Sequence, residues 1–477
     1  MTEIGMTDAF RFLQLFIARA LNSYGLRNIQ EIESGEKTGD ELVKISFSLL
    51  FWKMFFFMIT HRCNPFNKAI VGIILSQRFI MEEVFQKGSI TYTYITKSSP
   101  TEKPEDAIRG LVEMRWIGKT IRVVIADDSR LLRRMVRDLL ESSSNICVVG
   151  EASDGEETLE VVERTNPDVL LLDIVMPKKD GISVIKELMK KRPLPIVIFS
   201  SLTHDNADIT LTALELGAVD FLLKPGSLPV PPDIGIIKDE LIKKIRIAAY
   251  IGPVRLTINR MMLQRFDIKK TQFTHKIANV VVVIGASTGG PSIVRQIISR
   301  LPGDLPAAVL IVVHMPPLFT KLFAERLDQV SSLIVKEAVD GEKILTGHAY
   351  VAPGDFHMYV RKAIGGAVIS LKKGPKIHGV RPALDATLES VADVFGPRTI
   401  AVVLTGMGCD GARGALKVKK HGGYVIAQDE ASSIIYGMPK AVVDVGAADL
   451  VINYRAIPDV IVRLSRIREK VVDYHVK

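Results

Sequence analysis

The sequence predicts an α/β chain in which two parallel-sheet domains follow an N-terminal extension and are joined by a basic linker. Three observations predict it. From Thr120 onward, short apolar runs alternate with stretches of helical period. The runs are continuously apolar rather than alternating, which is the pattern of strands covered on both faces. The alternation stops near Gly226 and resumes near Val280.

In chain order, the first set of strands is IRVVIA (121–126), ICVVG (146–150), DVLLLD (168–173), PIVIFS (195–200) and VDFLL (219–223), with helical segments such as Arg130–Leu140 and Gly181–Lys191 between them. Five such units predict a flavodoxin-like doubly wound domain over 119–226. Ser227–Pro232 breaks the pattern, a helix over Ile234–Ala249 closes the domain, and a basic linker runs to Asn279. The second set is VVVIGAS (281–287), AAVLIVV (307–313), AYVAP (349–353), TIAVVLTG (399–406) and GYVIAQ (423–428), which predicts a second doubly wound domain over 280–470.

The bulk numbers fit soluble globular protein: 47% hydrophobic and 24% charged over 477 residues. Three cysteines, Cys63, Cys147 and Cys409, are far apart and odd in number, so neither a disulfide framework nor a zinc site is indicated. A reducing cytoplasm is the expected compartment. The net charge of +9 is concentrated in 226–279, where ten Lys/Arg face four Asp/Glu. Without aromatic interleaving or a helix-turn-helix or zinc-finger spacing, this reads as a solvated linker and not a nucleic-acid surface.

Residues 1–118 carry no recognisable motif. Ile45–Thr60 is an apolar run of sixteen residues interrupted by Lys53, and Ala69–Leu75 is shorter. A spanning helix needs roughly 20 apolar residues, so no stable membrane insertion is expected. One explanation of the extension is a start assigned too early, with Met114 as the true start; the native protein's intact mass decides this.

Chemistry is concentrated at strand ends. Asp127 and Asp128 follow the first strand and Asp173 ends the third. In a doubly wound sheet these ends open on one crevice. Three convergent carboxylates need a cation, and magnesium suits such an oxygen-rich site. One aspartate is then placed to attack phosphorus and form an acyl phosphate. Ser200 and Lys224, at the next two strand ends, supply a hydroxyl and an ammonium for the phosphoryl oxygens. Singly, each has a plainer reading as a cap or turn residue.

In the second domain, Gly285-Ala-Ser287-Thr-Gly289 follows a strand and precedes a helix, the context of a nucleophile elbow. The competing reading is a phosphate-binding turn, which for a dinucleotide wants an acidic residue near the next strand's end. His314 stands there instead. Asp410 follows a third strand. Ser287 as nucleophile, His314 as base and Asp410 as its orienting carboxylate thus share one crevice. Their chain order differs from that of ordinary α/β-hydrolases. His348, His357 and His378 compete as bases, and Asp410 has a plainer reading as the cap of a helix at 411–421.

Two resemblances extend this. IADDS, LLLDIVMPKKDG, FSS and LLKPG make residues 120–226 similar to a two-component response-regulator receiver. The resemblance implies Asp173 as phosphoacceptor, Asp127, Asp128 and Asp173 around Mg2+, Ser200 and Lys224 as phosphoryl contacts, and Phe221 as a switch aromatic, a position that also reads as plain core. IGASTGG, VHMPPLFTKLFAERL, GHAYVAPGDFHM, RPALDATLESVA, LTGMGCDGA and AQDEASSIIYGMPK make residues 280–465 similar to the catalytic domain of the CheB family of chemotaxis protein-glutamate methylesterases. That resemblance implies hydrolysis of glutamyl methyl esters on methyl-accepting chemotaxis receptors, with methanol released. In many members it also implies deamidation of receptor glutamines. It implies an oxyanion hole from the backbone near Thr288 and Met407, no cofactor for the esterase, a chemotaxis histidine kinase as phosphodonor, and autoinhibition by the unphosphorylated receiver. Cys409 stands where relatives often carry a polar residue. The rival function is a regulator with a non-enzymatic output, in which the linker binds DNA or residues 280–465 bind a nucleotide; such a module has no need of Ser287, His314 and Asp410.

Overall fold

The structure is a computed structural model and describes residues 81–86, 89–94, 120–225, 234–260 and 276–475. An antiparallel pair, β1 (Met81–Gln86) and β2 (Ser89–Tyr94), lies in the N-terminal extension. The run Ile45–Thr60, the patch Ala69–Leu75 and Met114 lie outside the described residues. Among the described residues, no helix is long and apolar enough to cross a membrane.

The first domain is built of β3 (Ile121–Ala126), α1 (Arg130–Glu141), β4 (Ile146–Ala152), α2 (Gly155–Thr165), β5 (Val169–Asp173), α3 (Gly181–Lys191), β6 (Ile196–Ser200), α4 (His204–Glu215) and β7 (Asp220–Leu223). Its strands form a five-stranded parallel sheet in the order β4-β3-β5-β6-β7. The continuous apolar runs follow from this position: every residue of β5 and of β6 is buried. Removing one such Leu or Ile side chain to Ala costs roughly 2–5 kcal/mol. The helices start where short polar side chains offer acceptors, Ser129 for α1, Asp154 for α2, Asp180 for α3 and Thr203 for α4.

One element differs from expectation. The closing helix, α5, runs Ile234–Arg260 and does not stop at Ala249. Gly252-Pro253 reads as a terminator because proline lacks the amide that the helix ladder needs, yet the backbone continues helical through it. Eleven residues assigned to the linker, 250–260, are therefore helix.

The second domain comprises β8 (Val281–Ala286), α6 (Gly290–Ile298), β9 (Ala308–Val313), α7 (Phe319–Asp328), β10 (Ile334–Glu337), β11 (His348–Val351), β12 (His357–Ala363), β13 (Gly366–Lys372), α8 (Leu384–Phe395), β14 (Thr399–Val403), α9 (Ala412–Lys420), β15 (Tyr424–Gln428), α10 (Met438–Asp444), β16 (Leu450–Ile452) and α11 (Ile457–His475). Seven strands pair in parallel in the order β10-β11-β9-β8-β14-β15-β16, while β12 and β13 form an antiparallel hairpin. Strand order reverses on either side of β8, so the crevice of this sheet opens between β8 and β14.

Candidate active site

Register sets the first contact. Ala286 of β8 faces Val313 of β9, so the next residues, Ser287 and His314, stand side by side at adjoining strand ends. The His314 amide donates to Ala286 O at 3.3 Å, and the Ser287 amide donates across to Thr405 O at 3.0 Å beyond β14. Gly289 takes a left-handed φ of 72° and releases the chain into α6. This is the strand–turn–helix geometry that an exposed nucleophile requires. Gly406 closes the other side: a Cβ there would lie 2.8 Å from Ser287 Cβ and 2.3 Å from Met438 Sδ.

His314 Nε2 lies 2.8 Å from Asp410 Oδ2. With Nε2 taken, Nδ1 is the ring nitrogen left for a proton from Ser287, whose Oγ makes no hydrogen bond among the described residues. Asp410 is almost wholly buried. Burial pushes its carboxyl up, but His314 and the amides of Leu384 and Asp385, donating at 2.7 and 2.9 Å, hold it below the usual carboxylate range. The helix that Asp410 serves is thus α8, not the one that follows it in sequence. The following helix, α9, receives its acceptor from Asp385, whose Oδ1 takes the amides of Gly411 and Gly414 at 3.0 and 2.7 Å. The two aspartates cap each other's helices.

The amides of Thr288 and Met407 have no hydrogen-bond partner among the described residues. The other histidines are engaged elsewhere. His357 uses both ring nitrogens, with Pro375 O at 2.9 Å and the Ala383 amide at 3.2 Å. His348 is buried and bonds Thr346 O. His378 pairs with Asp385 Oδ2 at 2.8 Å.

In the first domain the expected carboxylates converge. Asp127, Asp128 and Asp173 each offer an oxygen within 4.8 Å of the others. Lys224 Nζ lies 2.7 Å from Oδ2 of both Asp127 and Asp173. Hydrogen-bond geometry is satisfied at Asp173 only, which leaves Asp127 Oδ2 buried with charge contact but no aligned donor. Burial pushes the Asp173 carboxyl up against the pull of Lys224. Burial lowers Lys224 as well, but its two carboxylate partners prevail and hold the ammonium above its ordinary value. Ser200 Oγ is engaged outside this cluster, bonded to Thr210 Oγ1 at 2.8 Å and donating to Ser201 O at 3.3 Å.

The two domains meet at these sites. Thr288 Oγ1, one residue from Ser287, donates to Asp220 Oδ2 at 2.6 Å. Asp220 Oδ1 is met by Lys244 at 3.1 Å. Phe221 stacks on Phe319 of α7 with ring centroids 4.4 Å apart. Arg326 of α7 reaches α4, donating to Asp208 Oδ1 at 2.9 Å, Asp208 O and Thr212 Oγ1 at 2.7 Å and Glu215 Oε1 at 3.3 Å.

Comparison with known proteins agrees with both halves. Residues 123–230 match the response regulator receiver domain family, and residues 282–461 match the CheB methylesterase family. A protein-glutamate methylesterase/protein-glutamine glutaminase of Pyrococcus horikoshii is 45% identical over 354 residues, covering 74% of this chain and 96% of that protein. The chain belongs to the CheB methylesterase family. Members so named from Symbiobacterium thermophilum and Thermotoga maritima are each 44% identical, covering 73% and 72% of this chain and 98% and 99% of theirs. Sequence reasoning within this CheB chain overlooked Asp385, Asp220, Thr210 and Arg326. Asp385 carries a local signal, an acid in the first turn of a helix, but that signal points to its own helix and not to its neighbour.

Proposed function

We propose that the chain hydrolyses glutamate 5-methyl esters on the cytoplasmic part of methyl-accepting chemotaxis receptors, releasing methanol, under control of phosphorylation at Asp173. The observation that carries the reading is the 2.8 Å contact of His314 with Asp410, beside Ser287 on the adjoining strand end. Ser287 Oγ attacks the ester carbonyl as His314 Nδ1 takes its proton. Asp410 holds the ring and offsets the charge of the imidazolium. The amides of Thr288 and Met407 receive the oxyanion, and His314 returns the proton to the departing methanol. Water then repeats the sequence on the acyl-serine. The same steps on a side-chain amide release ammonia, which fits the glutaminase half of the relatives' names.

Control follows from the domain contact. Asp220, Phe221 and the Arg326 clamp seat the receiver against the nucleophile turn, which supports a closed, low-activity state. Asp127, Asp128 and Asp173 would hold Mg2+, and the unaligned buried oxygen of Asp127 fits that role. The cation would neutralise phosphoryl charge. On the protein side, Lys224 holds the phosphoryl oxygens and Ser200 turns inward toward them, and the receiver surface repacks. The phosphodonor is a chemotaxis histidine kinase and the compartment is the cytoplasm.

The test is methanol release from methylated receptor membranes, with and without a small phosphodonor. Ser287→Ala is expected to lose activity by ~10³-fold or more. Asp173→Asn is expected to keep basal release and lose stimulation; equal stimulation in that variant sinks the regulatory half. A folded wild type that releases no methanol sinks the catalytic half.

A further inference from the structure

We propose that Cys409, His378 and Asp385 form a second nucleophile–imidazole–carboxylate set whose thiol is oxidised by hydroperoxide, and that this oxidation switches off the neighbouring esterase site. The switching half rests on the function proposed above; the thiol chemistry does not.

The geometry is that of a thiol beside an imidazole fixed by a carboxylate. Cys409 Sγ lies 3.7 Å from His378 Nδ1, and the ring's other nitrogen lies 2.8 Å from Asp385 Oδ2. Asp385 is fully buried and is fixed by the amides of Gly411 and Gly414, so the ring orientation is set from behind. The Asp385 carboxylate first, and Cys409 second, push the His378 imidazole up to about 10, which makes it a cation near neutrality. A protonated imidazole 3.7 Å from the sulfur is placed to hand a proton to a group that departs there. The Cys409 thiol and the His378 ring take no part in the ester-cleavage steps above; Asp385 touches them only through its amide, which holds Asp410.

Exposure selects the reagent. Cys409 is 9% exposed, whereas the His378 side chain covering it is 27% exposed. A sulfur so little exposed suits a small hydroperoxide better than a bulky reagent, and its His378 neighbour is the more exposed of the two. In the step, sulfur attacks the distal oxygen of hydrogen peroxide, the O–O bond breaks and a sulfenic acid forms. The departing hydroxide takes the proton of His378 Nδ1 and leaves as water. Sulfur is oxidised and the peroxide reduced, and the net change is thiol plus peroxide to sulfenic acid plus water. The consequence is local. Cys409 directly precedes Asp410, and an oxygen added at this buried sulfur displaces the turn that aims Asp410 at His314.

The test treats the full chain with hydrogen peroxide in the presence of a cyclic 1,3-dione, which captures sulfenic acids, and quantifies the peptides of Cys63, Cys147 and Cys409. Cys409 is expected to be captured first, ahead of the exposed Cys147 by about tenfold or more, and His378→Gln to remove that lead. Cys147 captured ahead of Cys409 overturns the proposal. In parallel, methanol release is expected to fall severalfold on peroxide treatment and to return with dithiothreitol, which does not reverse methionine sulfoxide. Cys409→Ser is expected to keep basal release and resist peroxide. Capture at Cys409 with undiminished release overturns the switch. Untreated wild type without methanol release counts instead against the proposed function, and the peptide ratios then decide the thiol chemistry alone.

Discussion

At the scale of single residues, the site depends on how closely two loops approach. Gly406 lets the turn after β14 come against Ser287, where a Cβ would sit 2.8 Å from Ser287 Cβ. Gly406→Ala is therefore expected to shift the serine by a fraction of an ångström to an ångström and cut kcat by roughly 10²-fold. The effect on stability should be smaller, because Met438 Sδ, the nearest obstacle, belongs to a flexible side chain. Kinetics on receptor membranes beside a thermal unfolding curve separates the two effects; equal loss in both would make Gly406 a folding residue only. Ser287, His314 and Asp410 were legible because each follows a clear apolar strand, and strand ends of one sheet converge. Asp385 was not legible. Its partners lie at Gly411 and Gly414, and only the packing of α8 against α9 brings them together.

At the scale of elements, α4 is the piece that connects the two sites. Its Thr210 bonds Ser200, and its Asp208, Thr212 and Glu215 hold Arg326 of the catalytic domain. A Ser200 that turns toward a phosphoryl group on Asp173 must leave Thr210, so the event is felt on the helix that Arg326 grips. Thr210→Val keeps the shape and removes the bond. One hydrogen bond is worth ~1 kcal/mol, or about fivefold in an equilibrium. The variant is thus expected to need about fivefold less phosphodonor for half-maximal methanol release. An unchanged dose curve would remove Thr210 from the relay. Apart from the two edges of the second sheet, the strands of both sheets were readable from their apolar runs. The short edge strands β10 and β16 and the β12–β13 hairpin were not, since partly exposed strands lack that run. The tail of α5 was hidden for a different reason: Gly252-Pro253 carries a stop signal that the chain overrides.

At the scale of the whole molecule, the receiver touches the esterase at three kinds of contact, each with its own sensitivity. The Phe221–Phe319 stack is apolar, the Asp220–Thr288 bond is polar and short, and the Arg326 clamp is ionic with Asp208 half exposed. A partly exposed ion pair is worth little alone, so the clamp serves mainly to set the docking register. If phosphorylation of Asp173 opens this interface, the three contacts should loosen together, because packed interfaces switch between discrete arrangements. Amide hydrogen exchange followed by mass spectrometry then has a defined expectation. On adding a small phosphodonor, exchange should rise in α4, in α7 and in the turn after Ser287, and stay level in β5 and β8 at the centres of the two sheets. Asp173→Asn should show no rise. Arg326→Ala should start partly open, with basal methanol release raised severalfold and a smaller further response. A rise confined to α4 would mean that the receiver repacks without leaving the nucleophile turn, and control would then have to pass through Asp220 and Thr288 instead of through separation of the domains.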